Sequence, residues 1–213
     1  MSELITILKN NWEGYETLRL YARNALTYYG NDSDPVDGWT ARLLNDFADM
    51  VKECGQHHAD WTIKFIPGVS TFGRQISWSS TRLATPFGFK KGEVLSGNAS
   101  PTPGTDCDGA TAVVRSYCKA DLTKQSCGAA LDVKIFPDTL KGENGIQALK
   151  AFLRGFVELG GFFVQPDVVD AATLYAAREN PETYKTLSVR VSGWNARFVT
   201  LDQNYLERTT QGL

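Results

Sequence analysis

The 213-residue chain is 42% hydrophobic and carries 22 basic against 24 acidic side chains, a formal net charge of −2. That composition supports a buried core, excludes a disordered polymer and fits one domain or one large piece of a larger one. Without a Lys/Arg run or basic stripe, electrostatic binding to nucleic acid or to a membrane surface is not expected. The opening MSELITILKNNWEG has an acidic residue at position 3 and no long apolar core. It reads as neither signal peptide nor membrane span, which makes the cytoplasm the expected compartment. Cys54, Cys107, Cys118 and Cys127 lack zinc-type spacing and read as free thiols, and no metal site is expected. His57 and His58, adjacent in QHHAD, read as solvated loop residues.

In chain order, residues 2–27 place Leu4, Ile7, Leu8, Trp12, Tyr15, Leu18, Tyr21 and Leu26 at three- and four-residue steps. This predicts an amphipathic helix with Ser2 as N-cap, Gly14 as the point where it could break, and Gly30-Asn31 as its stop. YYGNDSDPVDGW, residues 28–39, is turn chemistry. A second helix is predicted over Thr40 to Glu53, with Leu43, Leu44, Phe47, Met50 and Val51 on one side. From Trp61 to Leu95, short apolar runs such as WTIKFIP and RQISWSS alternate with Gly and Pro. SGNASPTPGTDCDGATAV, residues 96–113, reads as a long loop; such loops are often functional, and a surface insertion explains it as readily.

AALDVKIFP, residues 129–137, predicts a strand. A helix opened by Glu143 or Asn144 follows, with Ile146, Leu149, Leu153, Phe156 and Val157 as one stripe and Gly160-Gly161 as its end. FFVQ is a short buried strand closed by Pro166, and Asp170 is an N-cap for AATLYAAREN. PETY begins another helical turn. SVRV returns to the sheet, and the SGW loop joins it to ARFVTL. Helices alternating with strands predict an α/β architecture, whose chemistry sits in loops at strand ends.

Gly193 stands between those last two runs. A glycine inside a strand pattern usually marks a bulge, a sharp turn or a close backbone approach. RVSGWNARF, residues 190–198, resembles the radical motif of the glycyl radical enzymes, whose common form is Arg-Val-Ser/Ala-Gly-Tyr with an aromatic a few residues on. YYGNDSDPVD resembles a family segment containing Tyr-Gly-Asn-Asp. TPFGFKKGEVLSGNASPTPGTDCDGATAVVRSYCKAD resembles the family's long loop before the final strands. GGFFVQPDVVDAATLYAARENPETYKTLSVRVSG resembles the stretch that leads into the radical loop. Nearly the whole chain is covered, and all of it is similar to the C-terminal portion of a longer pyruvate formate-lyase-like catalytic chain.

The resemblance implies an α/β fold that is the C-terminal part of a ten-stranded barrel, incomplete on its own and exposing apolar surface where the remainder packs. It implies a helical segment of the lyase domain over residues 1–60, then barrel strands and helices over 61–213 that include a glycine radical domain from about residue 85. Gly193 is the implied radical site, supported by Arg190, Ser192, Trp194 and Asn195. No cofactor is bound by the chain itself. A separate activating enzyme, using S-adenosylmethionine and an iron–sulfur cluster, installs the radical. The glycyl radical then takes hydrogen from a cysteine thiol, and the thiyl radical attacks a small-molecule substrate of an anaerobic lyase, breaking a C–C, C–O, C–N or C–S bond.

The family cysteine is commonly followed by Val-Glu or preceded by a second Cys, whereas the contexts here are CGQ, CDG, CKA and CGA. The catalytic cysteine is therefore expected on an N-terminal region or a complementary chain. A truncated piece, half of a split enzyme, a stand-alone spare-part module and a radical-free structural partner all stay open. Two departures stand out. The family's Thr-Pro-Asp-Gly-Arg is Thr85-Pro86-Phe87-Gly88-Phe89, which loses a charge pair expected to order that loop or lines a pocket with aromatics. The final segment DQNYLERTTQ is shorter than the family's last helix by about four residues, roughly one turn.

Overall fold

The computed structural model describes residues 2–58, 60–71, 74–94, 96–191 and 194–201. The first predicted helix is two: α1 (Ser2–Lys9) and α2 (Glu16–Ala25). Between them Asn11, Trp12 and Gly14 take φ of 54°, 66° and 79°, a left-handed run that ends a right-handed helix. Trp12 drives the break. Its ring is 2% exposed and its Nε1 donates to the Thr85 carbonyl at 3.2 Å, a contact a continuous helix would not make. Ser2 lies inside α1 rather than capping it, and α2 ends at Ala25, ahead of Gly30-Asn31.

Helix α3 (Asp34–His57) is longer than predicted at both ends. It begins inside the segment read as turn, because Pro35 is preset for a first helical turn and Asp34 and Asp37 put negative charge at its N-terminus. At the other end His57 is helical, and His58 stacks on Trp61 with ring centroids 4.1 Å apart. Neither histidine is the plain loop residue that QHHAD suggested.

Three parallel strands follow in the order β1 (Gly68–Val69), β2 (Gly128–Lys134) and β3 (Phe163–Asp167). RQISWS forms α4 (Arg74–Ser79). The long loop stops at Asp108, and GATAV opens α5 (Gly109–Tyr117) instead, since Ala112, Val113 and Val114 bury against the sheet. Helix α6 (Gly142–Glu158) ends ahead of Gly160 as expected. β3 does not stop at Pro166; proline is tolerated there because β3 is an edge strand.

Asp170 caps α7 (Ala171–Glu179), its carboxylate accepting from the Thr173 N–H at 2.6 Å. PETY forms turns rather than helix, with Thr183 and Tyr184 N–H bonded three residues back to Asn180 and Pro181. The chain then makes an antiparallel pair, β4 (Ser188–Val191) and β5 (Trp194–Arg197). ARFVTL is strand only as far as Arg197 and then a 3-10 turn over Phe198–Thr200, where the chain tucks Phe198 inward.

Two apolar clusters hold these pieces. The larger joins Val113, Val114, Tyr117, Leu131, Val133 and Phe156 around the inner faces of α5, β2 and α6. The smaller sets Leu174, Ala177 and Phe198 under the β4–β5 pair. Much apolar surface stays outside both. Of the α6 stripe only Phe156 is buried, while Ile146 and Val157 are 60% and 72% exposed. That exposure is consistent with an incomplete barrel. Among the described residues no helix is long and apolar enough to cross a membrane.

Candidate functional site

The β4–β5 ladder pairs Ser188 with Arg197, Val189 with Ala196, Arg190 with Asn195 and Val191 with Trp194. It therefore brings the backbones of Arg190 and Asn195 opposite each other, and those of Val191 and Trp194. Asn195 is on the exposed side. Ser192 and Gly193, the centre of the expected site, lie outside the described residues, as does the final segment DQNYLERTTQ.

What anchors this hairpin is the smaller cluster. Phe198 is fully buried, packed among Leu174, Ala177, Leu187 and Val189, and its N–H donates to the Leu187 carbonyl at 2.9 Å. Beneath it α7 is fixed by the Asp170 cap, whose carboxyl is held below its usual range first by the Thr173 backbone N–H and then by the Thr173 hydroxyl. Sequence reasoning missed Phe198 as an anchor because alternation made it one more strand residue.

A second network ties the N-terminal helices to the segment that leads toward the hairpin. The Asn31 amide nitrogen donates to the Tyr28 and Thr105 carbonyls, and its oxygen accepts from the N–H groups of Cys107 and Asp108 at 2.7 and 3.1 Å. Asp37, fully buried, accepts from the Ser116 hydroxyl at 2.9 Å and from Lys119 Nζ at 2.8 Å. Lys119 also meets Asp32 and Asp34. YYGNDSDPVD and SYCKAD are thus two halves of one clamp.

The Thr85–Phe89 loop is ordered without the acid–base pair of the family pattern. Phe89 is 4% exposed and lies between the guanidinium groups of Arg23 and Arg82, each 4.7 Å from the ring centroid. Arg23 in turn pairs with Glu93 at 3.0 Å. Phe87 is exposed, so the two phenylalanines do not line a pocket together.

The four cysteines are free, as expected. Cys54, Cys107 and Cys127 are exposed, while burial pushes the Cys118 thiol up to about 11. Thiolate character is thereby suppressed at Cys118. Among the described residues no group of three or more His, Cys, Asp or Glu is placed to hold a metal.

Residues 95–199 match the family profile described as Glycine radical, and residues 1–77 match the one described as Pyruvate formate lyase-like. The chain belongs to the glycyl radical enzymes. This glycyl radical enzyme chain is 36% identical over 212 residues to an isethionate sulfite-lyase of Nitratidesulfovibrio vulgaris, covering 94% of this chain and 24% of that protein. The fold is similar to the glycerol-bound B12-independent glycerol dehydratase from Clostridium butyricum, with a TM-score of 0.85 and 32% identity over 98% of this chain and 26% of that one. It is also similar to a glycyl radical enzyme from Archaeoglobus fulgidus, with a TM-score of 0.86 and 30% identity over 100% of this chain and 27% of that one. The chain spans about a quarter of the length of the relatives it matches.

Proposed function

We propose that this chain is the C-terminal, radical-bearing part of an anaerobic glycyl radical lyase, with Gly193 as the radical residue. The observation that carries this reading is the hairpin: SVRV pairs with WNAR, and only Ser192 and Gly193 stand in sequence between the last paired residues. Two-residue connections of that kind favour glycine. Loss of a hydrogen atom from Gly193 leaves an electron delocalised between the flanking amide nitrogen and carbonyl. Delocalisation needs a planar α-carbon, and glycine alone has no Cβ to oppose it.

In this reading Arg190, Ser192, Trp194 and Asn195 brace the loop. Residues 1–60 are a helical segment of the lyase domain, and residues 61–213 are barrel elements of a ten-stranded α/β barrel, with the glycine radical domain from about residue 85. A separate activating enzyme, using S-adenosylmethionine and an iron–sulfur cluster, removes the hydrogen. Gly193 then recovers a hydrogen atom from a cysteine thiol carried on a complementary chain or N-terminal region: the S–H bond breaks, the Cα–H bond forms, and the unpaired electron moves to sulfur. That thiyl radical takes hydrogen from a small-molecule substrate. The Pyruvate formate lyase-like match over residues 1–77 favours a piece or half of a lyase over a small spare-part module.

Anaerobic treatment with an activating enzyme, S-adenosylmethionine and a reductant is expected to give a doublet in electron paramagnetic resonance. Admission of air should then cut the chain into a large fragment ending near Ser192 and a small one beginning near Trp194, because dioxygen adds to the carbon radical. Gly193→Ala should abolish both. A signal that survives in that variant, or cleavage elsewhere, overturns the assignment.

A further inference from the structure

Over the open face of the parallel sheet lies a cleft of about 300 Å³. Successive residues of β2 point to opposite faces. Ala129, Leu131 and Val133 are buried in the larger apolar cluster, whereas Ala130 and Asp132 point to the open face and line the cleft. Phe162 and Phe163 form an apolar wall, and Ser70, Asn98 and Asp132 form a polar end. This is the usual constitution of a small-molecule site, apolar for the most part with a few fixed polar groups.

The polar end is built, not incidental. Asn98 takes a φ of 51°, a left-handed conformation that asparagine tolerates better than most residues. The Asn98 side-chain oxygen accepts from the Thr71 N–H at 3.0 Å, and its amide donates to Asp132 Oδ2 at 2.7 Å. Asp132 is further set by its own N–H, which donates to the Ser100 hydroxyl at 2.8 Å. Burial holds the Asp132 carboxyl above its ordinary range, with Asn98 and Ser100 opposing that shift. Among the described residues no Lys, Arg or His lines the cleft. A site for a sulfonate, carboxylate or phosphate would need such a cation or converging N–H donors.

We propose that this cleft binds a small uncharged polyol through Asp132, Asn98 and Ser70, and that it rejects anions. As an assignment of substrate class it rests on the lyase reading, but binding itself needs no radical. The chemistry separates this chain from its relative named for isethionate, a sulfonate, and aligns it with the relative whose structure holds glycerol.

Saturation-transfer NMR on the full, unactivated chain tests it with glycerol, isethionate and choline. Glycerol should show transfer, isethionate none at the same concentration, and choline no more than glycerol. Ala130→Trp, which fills the cleft, should abolish the glycerol response while the thermal melt stays cooperative. Asp132→Asn should weaken glycerol by roughly three- to tenfold, the loss of one good hydrogen bond. Should the tryptophan variant fail to fold, Asp132→Lys decides, because it should exchange the glycerol response for one to isethionate. Absence of glycerol binding by the unaltered chain, glycerol binding undiminished in a folded Ala130→Trp, any isethionate transfer with the unaltered chain at that concentration, or a choline response exceeding that to glycerol overturns the proposal. None of these outcomes touches the Gly193 assignment, which is read by the radical signal alone.

Discussion

A buried aspartate governs how the start of α3 stays joined to the end of α5. Asp37 is fully buried, and Lys119 reaches it at 2.8 Å while meeting Asp34 at 2.7 Å and Asp32 at 3.1 Å. Burial on its own would lower the Lys119 pKa, but hydrogen bonds to Asp34, Asp37 and Asp32 outweigh it and raise the value. A raised lysine contributes its full stability below the ordinary value of 10.5 and loses it only as pH climbs through the higher folded value. Lys119→Met leaves Asp37 without a counter-charge and is expected to cost about 3–5 kcal/mol in urea unfolding. Asp34→Asn, at the exposed corner of the same cluster, should cost far less, because solvent screens that pair. Equal losses from the two variants would show that burial of Asp37 is not what matters. The sequence flagged both YYGNDSDPVD and SYCKAD by resemblance, yet nothing in either announces the other, because contact across 82 positions leaves no local signature.

At the scale of elements, what was legible is what local chemistry dictates. The β2 strand, the α6 helix and the Asp170 cap follow from alternation, periodicity and a carboxylate beside free N–H groups, while Gly14 marked a break that burial of Trp12 drives. Misreadings arose where tertiary burial overrode pattern. GATAV became helix under the sheet, PETY closed into turns with Tyr184 packed against the Phe198 cluster, and ARFVTL gave up its strand to bury Phe198. The family motif around Gly193 was legible, whereas the cleft at Asp132 was not, since its members come from four separate segments. Phe198 also makes the hairpin a unit of its own, because its cluster shares no member with the larger one. Phe198→Ala should remove about 3–5 kcal/mol from that unit. Hydrogen exchange should then quicken through α7, β4 and β5 while β2 keeps its protection. Equal acceleration in β2 would show that the two clusters melt together.

For the whole molecule, the balance of buried and open surface points outward. Phe136, Ile146, Val157, Phe162 and Phe163 are exposed on and around α6 and β3, an apolar area that water does not favour. The chain alone is therefore expected to self-associate, with a sedimentation coefficient that rises with concentration. A monodisperse monomer with one cooperative melt would identify an autonomous module instead. The form of that association is limited by the rim of β3. Asp167 turns its carbonyl to β2, accepting from the Ile135 N–H at 2.9 Å, so by alternation the polar groups of Pro166 turn outward. A proline nitrogen there has no hydrogen to offer. An incoming strand would meet a missing rung at Pro166, and cross-β stacking, which needs every rung, is denied its template. The molecule is open on its apolar faces and blunt along β3: copies can cluster through those faces, but the β3 rim gives a fibril no start.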